Sequence, residues 1–324
     1  MKRFKNILFV ADSKLKGGNA FERAVTLAEN NQAKLTVVSV MEEIPTLNNE
    51  EIQGISTLEL YNAIMDQRRL QLENMVSPIG DKVQINIKIL TGIDFLVLIQ
   101  EVLSQKIDSL IKTAEEEEDI MDKFFGSLDM HLLRKCPCPV WLIKSSKRGH
   151  YKKIMVAVDF DPFNNKLEDD ILNRQIIEMS TALALSDFSE LHIIHVWNAY
   201  GESSMRSGLI YQPESYVDGY VDRIRVNHEH FLGQLMTDMI DKGEKEVTEY
   251  LQPKIHLVKG FARDMIPETA KRQGIDLIIM GTVARTGIPG FIMGNTAETV
   301  LNRIDCSVLA IKPEGFVTPV RLEE

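Results

Sequence analysis

The sequence predicts two doubly wound α/β domains in tandem, and three observations carry the prediction. The chain repeats itself. Phe4-Lys5-Asn6-Ile7-Leu8-Phe9-Val10-Ala11-Asp12 returns 147 residues later as Tyr151-Lys152-Lys153-Ile154-Met155-Val156-Ala157-Val158-Asp159: an aromatic, two polar residues, a five-residue apolar run and an aspartate. Residues 87–144 slide without a gap onto 255–312, 168 residues on, with Gly92, Asp108, Gly126, Leu133, Cys138 and Lys144 each meeting the same residue type. Within each copy, short apolar runs alternate with stretches of helical periodicity, the pattern of βαβ units with a parallel sheet. With 324 residues, 44% of them hydrophobic, the chain has material for two cores at the usual ~100–200 residues per domain.

Each element follows from its own pattern. In the second copy, 153–159 is a continuous apolar run, as a strand buried on both faces requires. Residues 170–186 carry apolar positions at helical spacing, and 191–197 reads as a strand. A long helix is predicted over 217–243, with Gly243 as its cap, then a strand over 254–258 and a helix over 262–273 stopped by Gly274. A strand at 276–281, a helix at 296–303 and a strand at 307–312 complete the unit. The first copy repeats it at 5–11, 20–31, 34–41, 58–76, 83–90, 95–105, 109–112, 128–135 and 140–144. The predicted fold is therefore two five-stranded parallel sheets, with domains at 1–146 and 151–315, a basic hinge between them and a tail at 316–324. The change of offset means about twenty extra residues in the second copy, placed in the polar stretch 198–220 or at 165–170. The last strands, 138–144 and 307–312, are short and alternating, and such edges need a partner.

Charge excludes several functions. The 37 basic against 47 acidic residues give a formal charge of −10, which opposes direct binding to nucleic acid. No apolar stretch is long enough to span a bilayer, and the apolar burst that ends at Asp12 is too short for a secretory signal. Three cysteines make no disulfide framework, and fourteen methionines suit a reducing compartment, so a cytoplasmic protein is expected.

In an open α/β sheet, ligands bind off the carboxyl ends of the strands. Those ends are Asp159, Val196-Trp197, Lys259-Gly260 and Gly281. From Gly281 a glycine-rich segment, Gly281-Thr282-Val283-Ala284-Arg285-Thr286-Gly287-Ile288-Pro289-Gly290-Phe291-Ile292-Met293-Gly294-Asn295-Thr296, runs from strand to helix. Glycines admit close backbone approach and helix-start amides suit phosphate, with Arg285 the loop's fixed cation; a surface loop whose glycines merely turn the chain is the competing reading. His192 and His195, three apart on a strand, point to opposite faces and cannot chelate one metal together. His228 and His230 fail similarly on a helix, and Cys136-Pro137-Cys138 lacks the spacing of a redox or zinc motif. No P-loop, dinucleotide fingerprint or nucleophile elbow is present.

The repeated unit resembles the universal stress protein family. That family opens on an apolar strand ending in Asp, here Val156-Ala157-Val158-Asp159. Its nucleotide-binding members carry Gly-x-x-Gly, nine residues, then Gly-Ser or Gly-Thr; here Gly281-x-x-Ala284 is followed by nine residues and Gly294-Asn295, with the hydroxyl one place late at Thr296. The resemblance covers nearly the whole chain, twice, and implies a tandem stress-response protein of the cytoplasm. It further implies that Asp159 and Val196 contact adenine and ribose of ATP, that Gly281, Ala284, Gly294, Asn295 and Thr296 surround the phosphates, and that the last strands pair within the chain as single domains pair in dimers. In the first copy, Thr113 and Glu116 replace Gly281 and Ala284, Gly126-Ser127 survives, and Glu115-Glu116-Glu117-Glu118-Asp119 fills the loop; this copy is expected not to hold a triphosphate.

Two other functions fit the same fold. One is an apolar or lipid-like ligand expected between the halves, from the apolar loop Ile288–Met293 and the methionines Met65, Met75, Met205, Met236 and Met239 on or near the crossover helices, with 198–220 as a lid. The other is slow nucleotide hydrolysis by Asp159 and His195 with a divalent metal.

Overall fold

The computed structural model describes residues 4–12, 18–43, 57–115, 125–144, 150–163, 167–239, 249–283 and 293–322. They form two compact units: the described residues of 2–150 with 307–322, and those of 151–286 with 293–306.

In the first unit, strands β1 (Asn6–Val10), β2 (Lys34–Met41), β3 (Ile85–Thr91), β4 (Ser109–Thr113) and β5 (Val140–Ile143) alternate with helices α1 (Gly18–Asn31), α2 (Thr57–Val76), α3 (Asp94–Ser104) and α4 (Ser127–Lys135). The first-copy strands are parallel, in the order β3-β2-β1-β4-β5. The central strands are apolar throughout because helices cover both faces of such a sheet; Ile7 to Val10 and Val140 to Ile143 are all buried. Helix α1 shows the matching stripe: Ala20, Ala24, Leu27 and Ala28 are buried at helical spacing, and Phe21 packs on Phe9 with ring centroids 5.3 Å apart.

The second copy gives β6 (Lys153–Ala157), α5 (Leu167–Asp187), β7 (Glu190–Trp197), α6 (Glu202–Arg206), α7 (Glu214–Met239), β8 (Lys254–Lys259), α8 (Ala262–Gln273), β9 (Leu277–Gly281), α9 (Asn295–Leu301) and β10 (Ser307–Ile311). In the second unit the parallel order is β9-β6-β7-β8. Strand β10 belongs to the first unit, where it runs antiparallel to β5 with Val308 opposite Leu142, Leu309 opposite Trp141 and Ala310 opposite Val140. The last strands of the two copies thus pair, and the open edge of β5 is closed. Each copy supplies five strands, as the periodicity predicts. Helix α6 was not predicted, and Gly243 lies outside the described residues.

The repeat is visible in its contacts. Asp108 Oδ2 accepts the backbone N–H groups of Lys5 (2.7 Å) and Asn6 (3.2 Å), and Asp276 Oδ2 accepts those of Lys152 (2.9 Å) and Lys153 (3.1 Å). Gly92 and Gly260, also matched, both have positive φ, at 128° and 145°. A Cβ at either would press on the helix that follows, 2.9 Å from Val97 or 2.7 Å from Met265, so only glycine fits this strand-to-helix turn.

Candidate functional site

The register of the second sheet brings the predicted positions to one edge. Ala157 lies opposite Ile194 on one side and Met280 on the other, so Asp159, Val196 and Gly281 all fall at the carboxyl ends of adjacent strands. Asp159 is exposed and its backbone is clamped: Asn173 of α5 accepts the Asp159 N–H (3.1 Å) and donates to its carbonyl (2.8 Å). Asn173 is buried, an amide among the apolar positions of a helix; that oddity was the available signal, and sequence reasoning missed it.

The glycine-rich segment is closed at its stem. Val283 and Met293 form an antiparallel bridge, and the Gly294 N–H donates to the Thr282 carbonyl at 3.1 Å. The Gly294 amide is therefore spent inside the protein. Gly294 is the N-cap of α9 and offers no side-chain acceptor, while Asn295 and Thr296 are exposed in the first turn. Leu172 of α5 packs against Gly281, so this glycine accommodates a leucine side chain. Ala284 and Arg285 lie outside the described residues.

His195 faces inward. A carbonyl can only accept, so His195 Nδ1–H donates to Val158 O (3.2 Å); in the neutral ring its Nε2 then accepts from His228 Nδ1–H of α7 (2.8 Å). Phe160 stacks on His195 at 3.7 Å between centroids. With both ring nitrogens engaged in the core, His195 is built as a strut between β7 and α7. Strand register makes Ser39 its counterpart in the first copy, and there Arg68 of α2 donates to Ser39 Oγ (2.7 Å) and to the Asp12 carbonyl (3.3 Å). The same tie is made with different chemistry, which is why spacing did not reveal it.

His192 lies in a separate cluster, consistent with its predicted opposite face. Glu190, held below the usual carboxylate range first by its bond to Lys254, accepts from His192 Nε2 (2.5 Å), and His192 Nδ1 accepts from His256 Nε2 (2.9 Å). Burial lowers the pKa of both histidines. A histidine depressed in the folded state is stabilising above its unfolded pKa of about 6.5 and loses that contribution as pH falls, because the unfolded chain then binds more protons. Glu190, depressed as well, has the same sign at still lower pH. The thermal midpoint of the wild type is expected to fall between about pH 7.5 and 5.5 more steeply than that of a His192→Gln/His256→Gln variant; parallel curves would refute this.

The first copy fills the matching edge with its own charges. Lys112 at the end of β4 pairs with buried Asp129 of α4 (2.9 Å) and with Glu115 (3.4 Å), and Asp129 Oδ2 accepts the Glu115 N–H (2.7 Å). Burial pushes the Asp129 carboxyl up, with Lys112 opposing. The Glu115 side chain lies directly on Gly126, the N-cap of α4, leaving no room there for a Cβ. In the second copy, buried Met280 and Ala297 stand where Lys112 and Asp129 stand, and Val283 where Glu115 stands. Glu116 to Asp119 lie outside the described residues.

A model described as "Universal stress protein family" matches residues 3–144 and again 150–312. The chain belongs to the universal stress protein family. Universal stress protein E of Escherichia coli strain K12 is 28% identical over 333 residues, covering 100% of this chain and 99% of that one. A universal stress protein E homolog of Haemophilus influenzae is 27% identical over 321 residues, covering 96% and 98%. Among solved structures, a universal stress protein from Archaeoglobus fulgidus DSM 4304 covers 95% of this chain and 98% of its own at 15% identity, with a TM-score of 0.59. The tandem universal stress protein arrangement thus extends over the whole chain.

Proposed function

We propose that this tandem universal stress protein is a cytoplasmic stress-response binding protein whose second copy takes a nucleotide-type ligand such as ATP, at Asp159, Val196, Gly281, Ala284, Arg285, Gly294, Asn295 and Thr296. The names of its full-length relatives support the stress role. Three buried cysteines, none of them in a disulfide, support a reducing compartment. The observation that carries the binding reading is the contrast between the copies. At the first helix start Glu115 lies on the N-cap glycine above a Lys112–Asp129 pair, whereas at the second those charges are replaced by Met280, Ala297 and Val283, beside the exposed Asn295 and Thr296. Removing resident carboxylates is the first requirement for admitting a phosphate. The ligand acts by occupancy; His195, committed to Val158 and His228, is not placed to serve as a base for hydrolysis.

Calorimetric titration of the full chain with ATP and ADP tests this. Saturable binding is expected, and Gly294→Glu, which imitates the first copy's charge, is expected to weaken it about tenfold or more. Gly294 has φ −64° and ψ 136°, which any residue adopts, so the variant carries no backbone strain. No binding, or binding unchanged in the variant, would reject the reading.

One observation favours the apolar ligand instead. The inserted stretch folds as α6 and a loop beside the ends of β7 and β8, tied by Arg206–Asp218 (2.7 Å) and Lys259–Glu202 (2.6 Å), yet leaves Leu209 83% and Tyr211 87% exposed. An apolar molecule found by mass spectrometry after denaturation would decide for that reading.

A further inference from the structure

A cavity of about 880 Å³ opens in the first unit at the carboxyl ends of β2, β3 and β4. Four carboxylates reach it from separate parts of the chain: Glu42 and Glu43 after β2, Asp94 at the start of α3, and Glu115 after β4. They are brought together by the fold and are not one acidic run. Ile93, Leu96, Val97 and Leu128 give the same cavity an apolar wall, and Phe95 stacked on His131 (4.2 Å, 18°) adds a flat aromatic surface.

Among the described residues, carboxylates outnumber the cations facing this space. Lys112 lies 3.4 Å from Glu115 but is already committed to Asp129 at 2.9 Å. Lys135 sits over the Phe95 ring at 4.0 Å, and burial, then Lys135 and Arg134, lower the pKa of His131, so that ring adds no positive charge near neutrality. Burial raises the Asp94 carboxyl, and Glu115 and Glu42 raise it further, with Lys112 opposing. Among the described residues no group of three or more His, Cys, Asp or Glu side chains comes close enough to hold a metal ion. Because no three of the described carboxylates converge on one point, a compact cation would satisfy only some of them.

We propose that this cavity binds a linear aliphatic polyamine. Separated ammonium groups meet carboxylates that lie apart, and the methylene segments between them lie on the apolar and aromatic wall. The site uses none of the residues assigned to the second copy's ligand. The two copies would then read ligands of opposite charge at overlapping places in the fold, which share the helix start where Ser127 and Leu128 match Asn295 and Thr296.

Calorimetric titration of the full chain with spermidine tests the proposal, with magnesium chloride as the competing probe. Saturable one-to-one binding is expected, resistant to magnesium, weakened by salt, and weakened about tenfold or more in Glu43→Gln/Asp94→Asn. Glu43 is exposed, so Glu43→Gln alone keeps the fold and is expected to show part of the loss. Thermal melts of the unliganded variants show that they are folded. Absence of saturable binding, equal affinity in the folded variants, or displacement by magnesium at matched concentration would overturn the proposal. An intact ATP response alongside any of these would confine the failure to the first copy.

Discussion

Replacing Asp129 by alanine is expected to destabilise the protein by about 3–5 kcal/mol, because it strands a buried cation. Lys112 and Asp129 are both buried, with Nζ and Oδ1 2.9 Å apart. Among the described residues Lys112 keeps only the Thr113 carbonyl (3.0 Å) and the half-exposed Glu115 once the aspartate is gone, and the Glu115 N–H loses its acceptor. The second copy suggests the rescue. There the matched positions are Met280 and Ala297, both buried, so Lys112→Met/Asp129→Ala removes the charge together with its partner. The double variant is expected to be more stable than Asp129→Ala by about 2 kcal/mol, since exchanging a buried pair for apolar groups costs far less than breaking it. Urea midpoints at neutral pH measure both differences. A single variant within about 1 kcal/mol of wild type would show that the pair is not dry enough for this argument.

The second large effect is expected at the aspartates that lock each copy. Asp276→Ala is expected to cost about 2 kcal/mol, the scale of losing charge-assisted hydrogen bonds in a partly solvated site. The carboxylate accepts from Lys152 and Lys153, and the Asp276 N–H returns a bond to the Lys153 carbonyl at 2.9 Å, so one residue fixes the start of β6 against the turn into β9. Asp108 does the same for β1, with its N–H on the Asn6 carbonyl at 2.9 Å. Asp108→Ala is expected to cost a similar amount, and Asn at either position less, because an amide oxygen still accepts. Chemical denaturation of the four variants checks this, and a large loss at one aspartate with none at the other would refute the equivalence.

These two cases show what could be read from the chain. Asp108 and Asp276, and Gly92 and Gly260, were matched by offset alone, because a backbone demand leaves the same residue type at the same spacing. The strands were legible because a sheet covered on both faces needs unbroken apolar runs. The two short edges showed that partners are needed, and the family resemblance implied that β10 and β5 are each other's. Other features left no such trace. The tie between strand and long helix is Ser39–Arg68 in one copy and His195–His228 in the other. The functional requirement is a bond across that gap, which many residue pairs meet, so periodicity cannot find it. Leu172 against Gly281 was hidden for a related reason: an apolar helix position does not announce which strand end it covers. Among the predicted site residues, the register gathers Asp159, Val196 and Gly281, and the bond from Gly294 to Thr282 adds the start of α9. The expectation that the acidic first loop repels phosphate came from its carboxylates alone; the cavity beside it and the partners of Lys112 required coordinates.

Under the proposed function the copies have diverged in charge, so that only the second admits a nucleotide. Hydrogen–deuterium exchange of the full chain with and without ATP measures it most directly. Slowed exchange is expected at 158–160 and 294–297, with no change at 113–115 or 126–130. Protection appearing at the first copy's helix start would contradict the claim.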